Sequence, residues 1–397
     1  MEGSLDIRVI RDEDMQEAYY LSSQAFMGGA RNDNYAESRL QNPNRPDTTT
    51  YGVYDELGLQ AKVVIVDYEQ IFTNQFSAPM GGIAGVASLP ASRGKGYASG
   101  CLKHVLGVMK EQGQFLSALY PFAWAYYRNL GWEWVGVQRE YTVPTRIIPA
   151  ADETDSVTAA RPEDRLAIAN IYAAYCGRHR GMAARDERAW NRVLSDGDSK
   201  YRYTYIYTGD NGPEGYFTFS NPTKEATWVD EFIALTPAAY RGLLGLMRRY
   251  EMQTRAFRWN AASDDALWSV LYHSEILVSL WPVVQARVVD VEAAFNALRT
   301  DNDAANGSLN IAVSDKYAPW NDATWQITVE GGAVTVAKTT MDPGLHLDIQ
   351  ALTQAYYGEP DLTSLRHAGR ISVHNEADFT LLTRLLAGPA MWLNDHF

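Results

Sequence analysis

GVASLPASRGKGYASGCLKHVL, Gly85 to Leu106, is the stretch on which the fold turns. An apolar, strand-like run over Ile83–Leu89 stops at Pro90. A helix is predicted from about Tyr97, because Cys101, Leu102, Val105, Leu106 and Met109 recur on one face. Between strand and helix lies Arg93-Gly94-Lys95-Gly96-Tyr97-Ala98. Glycines there let a ligand approach the backbone, and amides at a helix start hold phosphate oxygens with the help of the dipole. Arg93 and Lys95 add positive charge. The loop has neither the G-x-x-x-x-G-K-[ST] of a Walker motif nor the G-x-G-x-x-G of a dinucleotide fold. A glycine-rich turn with no ligand is the plain alternative.

Working outward, another apolar strand is expected at Phe115–Leu119, followed by AWAYYRNLGWEWVG, Ala123 to Gly136. PTRIIPAADETDSVT, from Pro144, has two prolines and an acidic cluster and reads as a linker; a second boundary falls where the strand-like Val283–Val289 runs into a helix near Val291. Three blocks result, 1–150, 151–285 and 286–397. Blocks one and two share an order: RDEDMQEAYYLSSQAF parallels RPEDRLAIANIYAAY, and ATWVDEFIALTPAAYRGLLGLMRRY repeats the strand–helix passage. Setting Leu235-Thr236-Pro237 against Ser88-Leu89-Pro90 puts Leu243 opposite Gly96, where a leucine would crowd a phosphate. Block three alternates as SLNIAVSD, ATWQITVEGG and AVTVAKT, then turns helical around Ile349–Tyr356 and Glu376–Leu386, an α+β pattern.

Arg93, Gly96 and Ala98 fit the R-x-x-G-x-A motif of the GNAT acetyltransferases, and Tyr127-Arg128-Asn129-Leu130-Gly131-Trp132 fits their Y-x-x-x-G-[FYW] run. Over its whole length the chain resembles the Eis (enhanced intracellular survival) acetyltransferases. That resemblance implies an α/β multidomain fold: two tandem GNAT domains, the second degenerate, and a sterol carrier protein-like α+β domain. It implies acetyl-coenzyme A as co-substrate, held mainly by backbone groups of Val86, Ala87, Ser88, Arg93, Gly94, Lys95, Gly96, Tyr97, Ala98, Ser99, Phe122 and Ala123. It implies Tyr127 as general acid, with Tyr126 the adjacent alternative, and the terminal carboxylate on Phe397 as general base. It implies a hexamer. The closing residues GPAMWLNDHF are unusually apolar for a chain end, which suits a buried terminus whether it is catalytic or only packed.

The net charge of −13 excludes a general nucleic-acid binder and is compatible with a cationic amine as acceptor. Neither an 18-residue apolar run nor a secretion signal is present, so a cytoplasmic protein acting away from membranes is expected. Cys101 and Cys176 make no zinc pattern, no metal is expected, and Cys101 reads as core rather than as an acyl-carrying nucleophile. The expected acceptor is an aminoglycoside-like amine, a polyamine or a lysine; Phe26 and Tyr35 are wall candidates by placement, Asp395 a source of negative charge, and His396 a surface or pocket-wall residue, with help in proton transfer as its alternative role. A lipid carrier, or a sensor of acyl-coenzyme A with a vestigial block one, is the rival.

Overall fold

The computed structural model describes residues 5–26, 47–72, 76–194, 202–300 and 305–395. Strands β1 (Asp6–Val9), β2 (Thr48–Asp55), β3 (Gly58–Phe72) and β4 (Phe76–Ser88) run antiparallel to one another, and β5 (Leu116–Leu119) lies parallel to β4. Helix α1 (Met15–Phe26) follows β1; α2 (Tyr97–Glu111) connects β4 to β5. Cys101, Leu102, Val105, Leu106 and Met109 are fully buried on one face of α2 against β2, β3 and β4, as the periodicity requires. The five-residue α3 (Trp124–Arg128) and β6 (Glu133–Trp134) come next.

From here the chain exchanges strands between sheets. β7 (Gln138–Pro144) belongs by composition to block one, yet it is hydrogen-bonded in a second sheet. That sheet takes β8 (Val157–Ala159) and, after helix α4 (Arg165–Cys176), lends β9 (Arg180–Ala183) back to the end of β3. It continues with β10 (Arg202–Gly209), β11 (Gly212–Ser220), β12 (Thr227–Ala234), β13 (Ala256–Ala261) and the edge strand β14 (Leu277–Trp281), in the order β14-β7-β13-β12-β11-β10-β8. β15 (Gln285–Val288) returns to the first sheet and inserts between β5 and β6. In the second sheet β12 and β13 are the parallel neighbours, as β4 and β5 are in the first. Block three forms a five-stranded sheet, and its helix α5 (Ile349–Tyr357) packs on β15 and β6. One hydrophobic cluster runs from Phe72 and Met80 of the first sheet to Trp325 and Tyr356 of block three. The blocks therefore share a core.

The passage in block two that parallels the glycine loop differs from the residue-by-residue expectation. A helix starts at Pro237 directly after the strand, with the Thr236 hydroxyl accepting from the Ala239 amide at 3.1 Å. Leu243 lies inside that helix and is fully buried in the second core. A phosphate site is therefore not crowded by Leu243; the loop is missing, and the helix closes its own N-terminus.

Candidate active site

The parallel pairing of β4 and β5 ends at Ile83 and Leu119, while β4 runs on to Ser88. Beyond that point the two strands diverge. Gly85 and Val86 drop out of register with β3, and Gly85 takes a left-handed φ of 53°, a bulge that only glycine adopts without strain. A cleft of about 700 Å³ opens at the splay. Val86, Ala87 and Ser88 form one wall, Arg93, Gly94, Gly96, Tyr97, Ala98 and Ser99 the loop and helix start, and Phe122 and Tyr126 the far side. Ala25 and Phe26, at the end of α1, complete it.

The loop is built to leave amides open. Gly94 and Gly96 both hold left-handed φ values, 79° and 83°, and no side chain caps α2. Gly96 O accepts from Gly100 N at 2.8 Å, but the amides of Gly96 through Ser99 have no backbone acceptor among the described residues. These are the orphan donors of a helix N-terminus, aimed into a cleft. Tyr97 anchors the helix start through its hydroxyl, which donates to Asp55 at 2.9 Å, and Leu89 N donates to Gln60 O at 2.9 Å. A pyrophosphate-bearing nucleotide fits this donor set, with Arg93 exposed at its rim. Gly96→Ala places a Cβ in a conformation that favours glycine; calorimetry should find coenzyme A affinity down about tenfold or more, with the melting temperature nearly unchanged, since such a residue costs only about 1–2 kcal/mol.

Of the residues expected in the site, Val86 to Ser88, Arg93, Gly94, Gly96 to Ser99 and Phe122 line the cleft; Lys95 is exposed beside it, and Ala123 is the residue before α3. The tyrosines divide. Tyr126 reaches the cleft surface, whereas Tyr127 is 3% exposed, with its ring centroid 5.4 Å from Phe122 and 5.1 Å from Tyr126. Burial raises the pKa of both, that of Tyr126 to about 12, so both phenols keep their protons at neutral pH. Neither hydroxyl has a hydrogen-bond partner among the described residues. Cys101 lies fully buried, its thiol pushed up to about 12 by burial, which makes it an inert core residue.

Phe397, His396 and Tyr35 lie outside the described residues. The tail leading to the terminus is firmly held. Met391 bridges to Arg180, Trp392 and Leu393 are buried, and the Tyr120 hydroxyl, one residue past β5, donates to Asp395 O at 2.8 Å. The Asp395 carboxylate is not in the open: Arg185 donates to it at 2.9 Å and to Glu231 at 2.6 Å, and Tyr172 donates to it at 3.1 Å. No local motif flags Arg185 or Tyr120; their partners lie far away in sequence.

Family comparison accounts for this architecture. Models described as acetyltransferase (GNAT) domains match residues 6–135 and 181–289, and a sterol carrier protein domain matches 291–394. The chain belongs to the GNAT acetyltransferases. This acetyltransferase is similar to an uncharacterized N-acetyltransferase of Streptomyces avermitilis, at 26% identity over 99% of each chain. Its fold is that of a GCN5-related N-acetyltransferase from Anabaena variabilis (TM-score 0.88, 21% identity, 99% of this chain and 100% of the other). It is also that of Eis1 from Mycobacterium abscessus (TM-score 0.79, 20% identity, 99% and 100%). Among the described residues, no helix of the acetyltransferase is long and apolar enough to cross a membrane.

Proposed function

We propose that the protein transfers the acetyl group of acetyl-coenzyme A directly to a primary amine, with residues 1–150 as the catalytic unit. The observation that carries this reading is the cleft at the splay of β4 and β5, with open amides at Gly96–Ser99 on one side and Phe122 and Tyr126 on the other. When bound, the co-substrate supplies an activated acyl thioester. Val86 to Ser88 would run along it, and the loop amides with Arg93 would hold its phosphates.

An amine must lose a proton to react, and a departing thiolate gains one. Tyr127 is the proposed proton donor. Its burial keeps the phenol neutral, and its place four residues before Gly131 fits the family run. Tyr126 is the second reading, favoured by its position at the cleft surface. The proton acceptor is proposed to be the carboxylate of Phe397. What supports it is that Asp395 O, two residues before Phe397, accepts from Tyr120, one residue past β5. The acceptor is proposed to be a cationic amine (aminoglycoside-like, a polyamine or a lysine), drawn by the net charge of −13.

Against the carrier reading, the interior of block three is filled by Phe295, Trp325, Tyr356 and Tyr357, and its surface groove carries Asp322, His346 and Asp348. A hexamer or other closed oligomer is expected, with β14 a candidate contact: it ends its sheet and exposes Leu277, Leu280 and Trp281.

The test is kinetic. Tyr127→Phe should lower turnover by about 10²–10⁴-fold, the usual contribution of a positioned acid, with coenzyme A binding unchanged. The same loss in Tyr126→Phe alone would move the role to Tyr126. A Gly-Ser extension after Phe397 should abolish turnover without changing the melting temperature; full activity in the extended protein would remove the terminal carboxylate as base.

A further inference from the structure

Helix α5 of block three has a polar stripe where a packed helix normally buries apolar side chains. Gln350, Thr353 and Gln354 stand at i, i+3 and i+4 on one face, and Thr353 and Gln354 are almost wholly buried. Each is committed to backbone of α3 or of the first sheet. Gln350 Nε2 donates to Arg128 O at 3.0 Å, Gln354 Nε2 donates to Trp134 O at 3.0 Å, and the Thr353 hydroxyl accepts from Val288 N at 3.0 Å.

β15 continues the pattern. Gln285 Nε2 donates to Trp124 O at 3.2 Å and Arg287 Nη1 to Leu130 O at 2.8 Å. Arg287 is itself held by Asp315 of block three at 2.6 Å. Helix α3 has one turn and a half, too short to be stable alone. Its carbonyls at Trp124, Arg128 and just beyond, at Leu130, each receive a side-chain donor from outside block one. The Arg128 carbonyl is one that a helix C-terminus leaves open, Leu130 lies just past it, and the Trp124 bond ties down the first residue of α3.

We infer that α5 and β15 are a mooring for the tyrosine-bearing helix, with Gln350, Gln285 and Arg287 as positioning residues for the proton donor. This rests on the acid reading above. The sterol carrier-like block then contributes to turnover through its backbone-binding stripe rather than through a lipid. None of these side chains lines the cleft, so they bear on proton delivery and leave cofactor binding alone.

A double-mutant cycle tests this. Gln350 is near the surface, so Gln350→Ala should fold with an unaltered melting temperature; Gln285→Leu is a second, buried variant. Gln350→Ala should lower kcat on the order of tenfold, less than the hundredfold that an ångström of misplacement can cost, with KM for acetyl-coenzyme A unchanged. Combined with Tyr127→Phe, or with Tyr126→Phe if that residue is the donor, the substitution should add nothing, because there is no longer a proton donor to position. Additive losses in both backgrounds, or an unchanged kcat in Gln350→Ala and Gln285→Leu, would overturn the inference alone. If neither tyrosine substitution slows turnover, the acid reading falls and this inference falls with it.

Discussion

Arg185→Met should cost the folded protein about 3–5 kcal/mol, because it leaves buried carboxylates without their counter-charge. Arg185 follows β9, its side chain 2% exposed. It donates to both oxygens of Glu231 on β12 and to Asp395 near the end of the chain. Its guanidinium also lies 3.8 Å from the centroid of the Tyr172 ring. Burial works against the charge, and Glu231, Tyr172 and Asp395 outweigh it, holding the pKa well above the ordinary arginine value. Methionine fills much of the volume but answers neither carboxylate. Scaled by the typical unfolding entropy per residue, the loss corresponds to a melting temperature lower by roughly 4–6 °C. Differential scanning calorimetry measures it. The triple variant R185M/E231Q/D395N should recover most of the loss, since removing every charge of a buried cluster is far milder than removing one. A triple variant no more stable than R185M would show that packing, not charge, sets the cost.

Gly131→Ala is the second large effect. Gly131 has φ +97°, and a Cβ built there would stand 1.3 Å from Arg287 Nη1. The side chain cannot yield cheaply. Arg287 is fully buried, donates to Leu130 O and is paired with Asp315 through both carboxylate oxygens. Displacing it breaks a buried ion pair, about 3–5 kcal/mol, on top of about 1–2 kcal/mol for an alanine in the left-handed region. Gly94→Ala is the control. Its φ is +79°, but nothing lies within 4 Å of the added carbon, so only the backbone cost remains. Thermal melting of the two variants should differ severalfold in the size of the loss. Equal losses would refute the role given to Arg287. The glycine of the family run is thus explained by what approaches it.

Where structure follows local pattern, the sequence was a good guide. The apolar spacing over Cys101–Met109 marks the buried face of α2, and Arg93–Ala98 marks the loop with its open amides. Strand and helix order showed two blocks of similar α/β order and a third α+β block; that these are tandem acetyltransferase folds and a sterol carrier-like domain came from the family resemblance. What escapes is long-range. β7 and β15 have unremarkable strand sequences, and nothing within them says which sheet they join. Arg185 is one arginine among many until Glu231 and Asp395 are brought beside it. Setting Leu243 against Gly96 failed because the Thr236 cap starts the helix early and removes the loop altogether. Of the tyrosine pair, motif spacing selects Tyr127, whereas exposure selects Tyr126; that difference is set by how α3 is rotated on its neighbours, which spacing does not encode.

The exchanged strands carry a consequence for synthesis. A chain leaves the ribosome from its N-terminus, and domains ordinarily close as they emerge. Here the first sheet must wait for β9 and for β15, and Tyr120 must wait for Asp395, 275 residues further on. A nascent product therefore exposes open sheet edges at β3 and β5 until those strands arrive. The first sheet is completed only by a strand made after those of the second sheet, so the folding of the two is coupled.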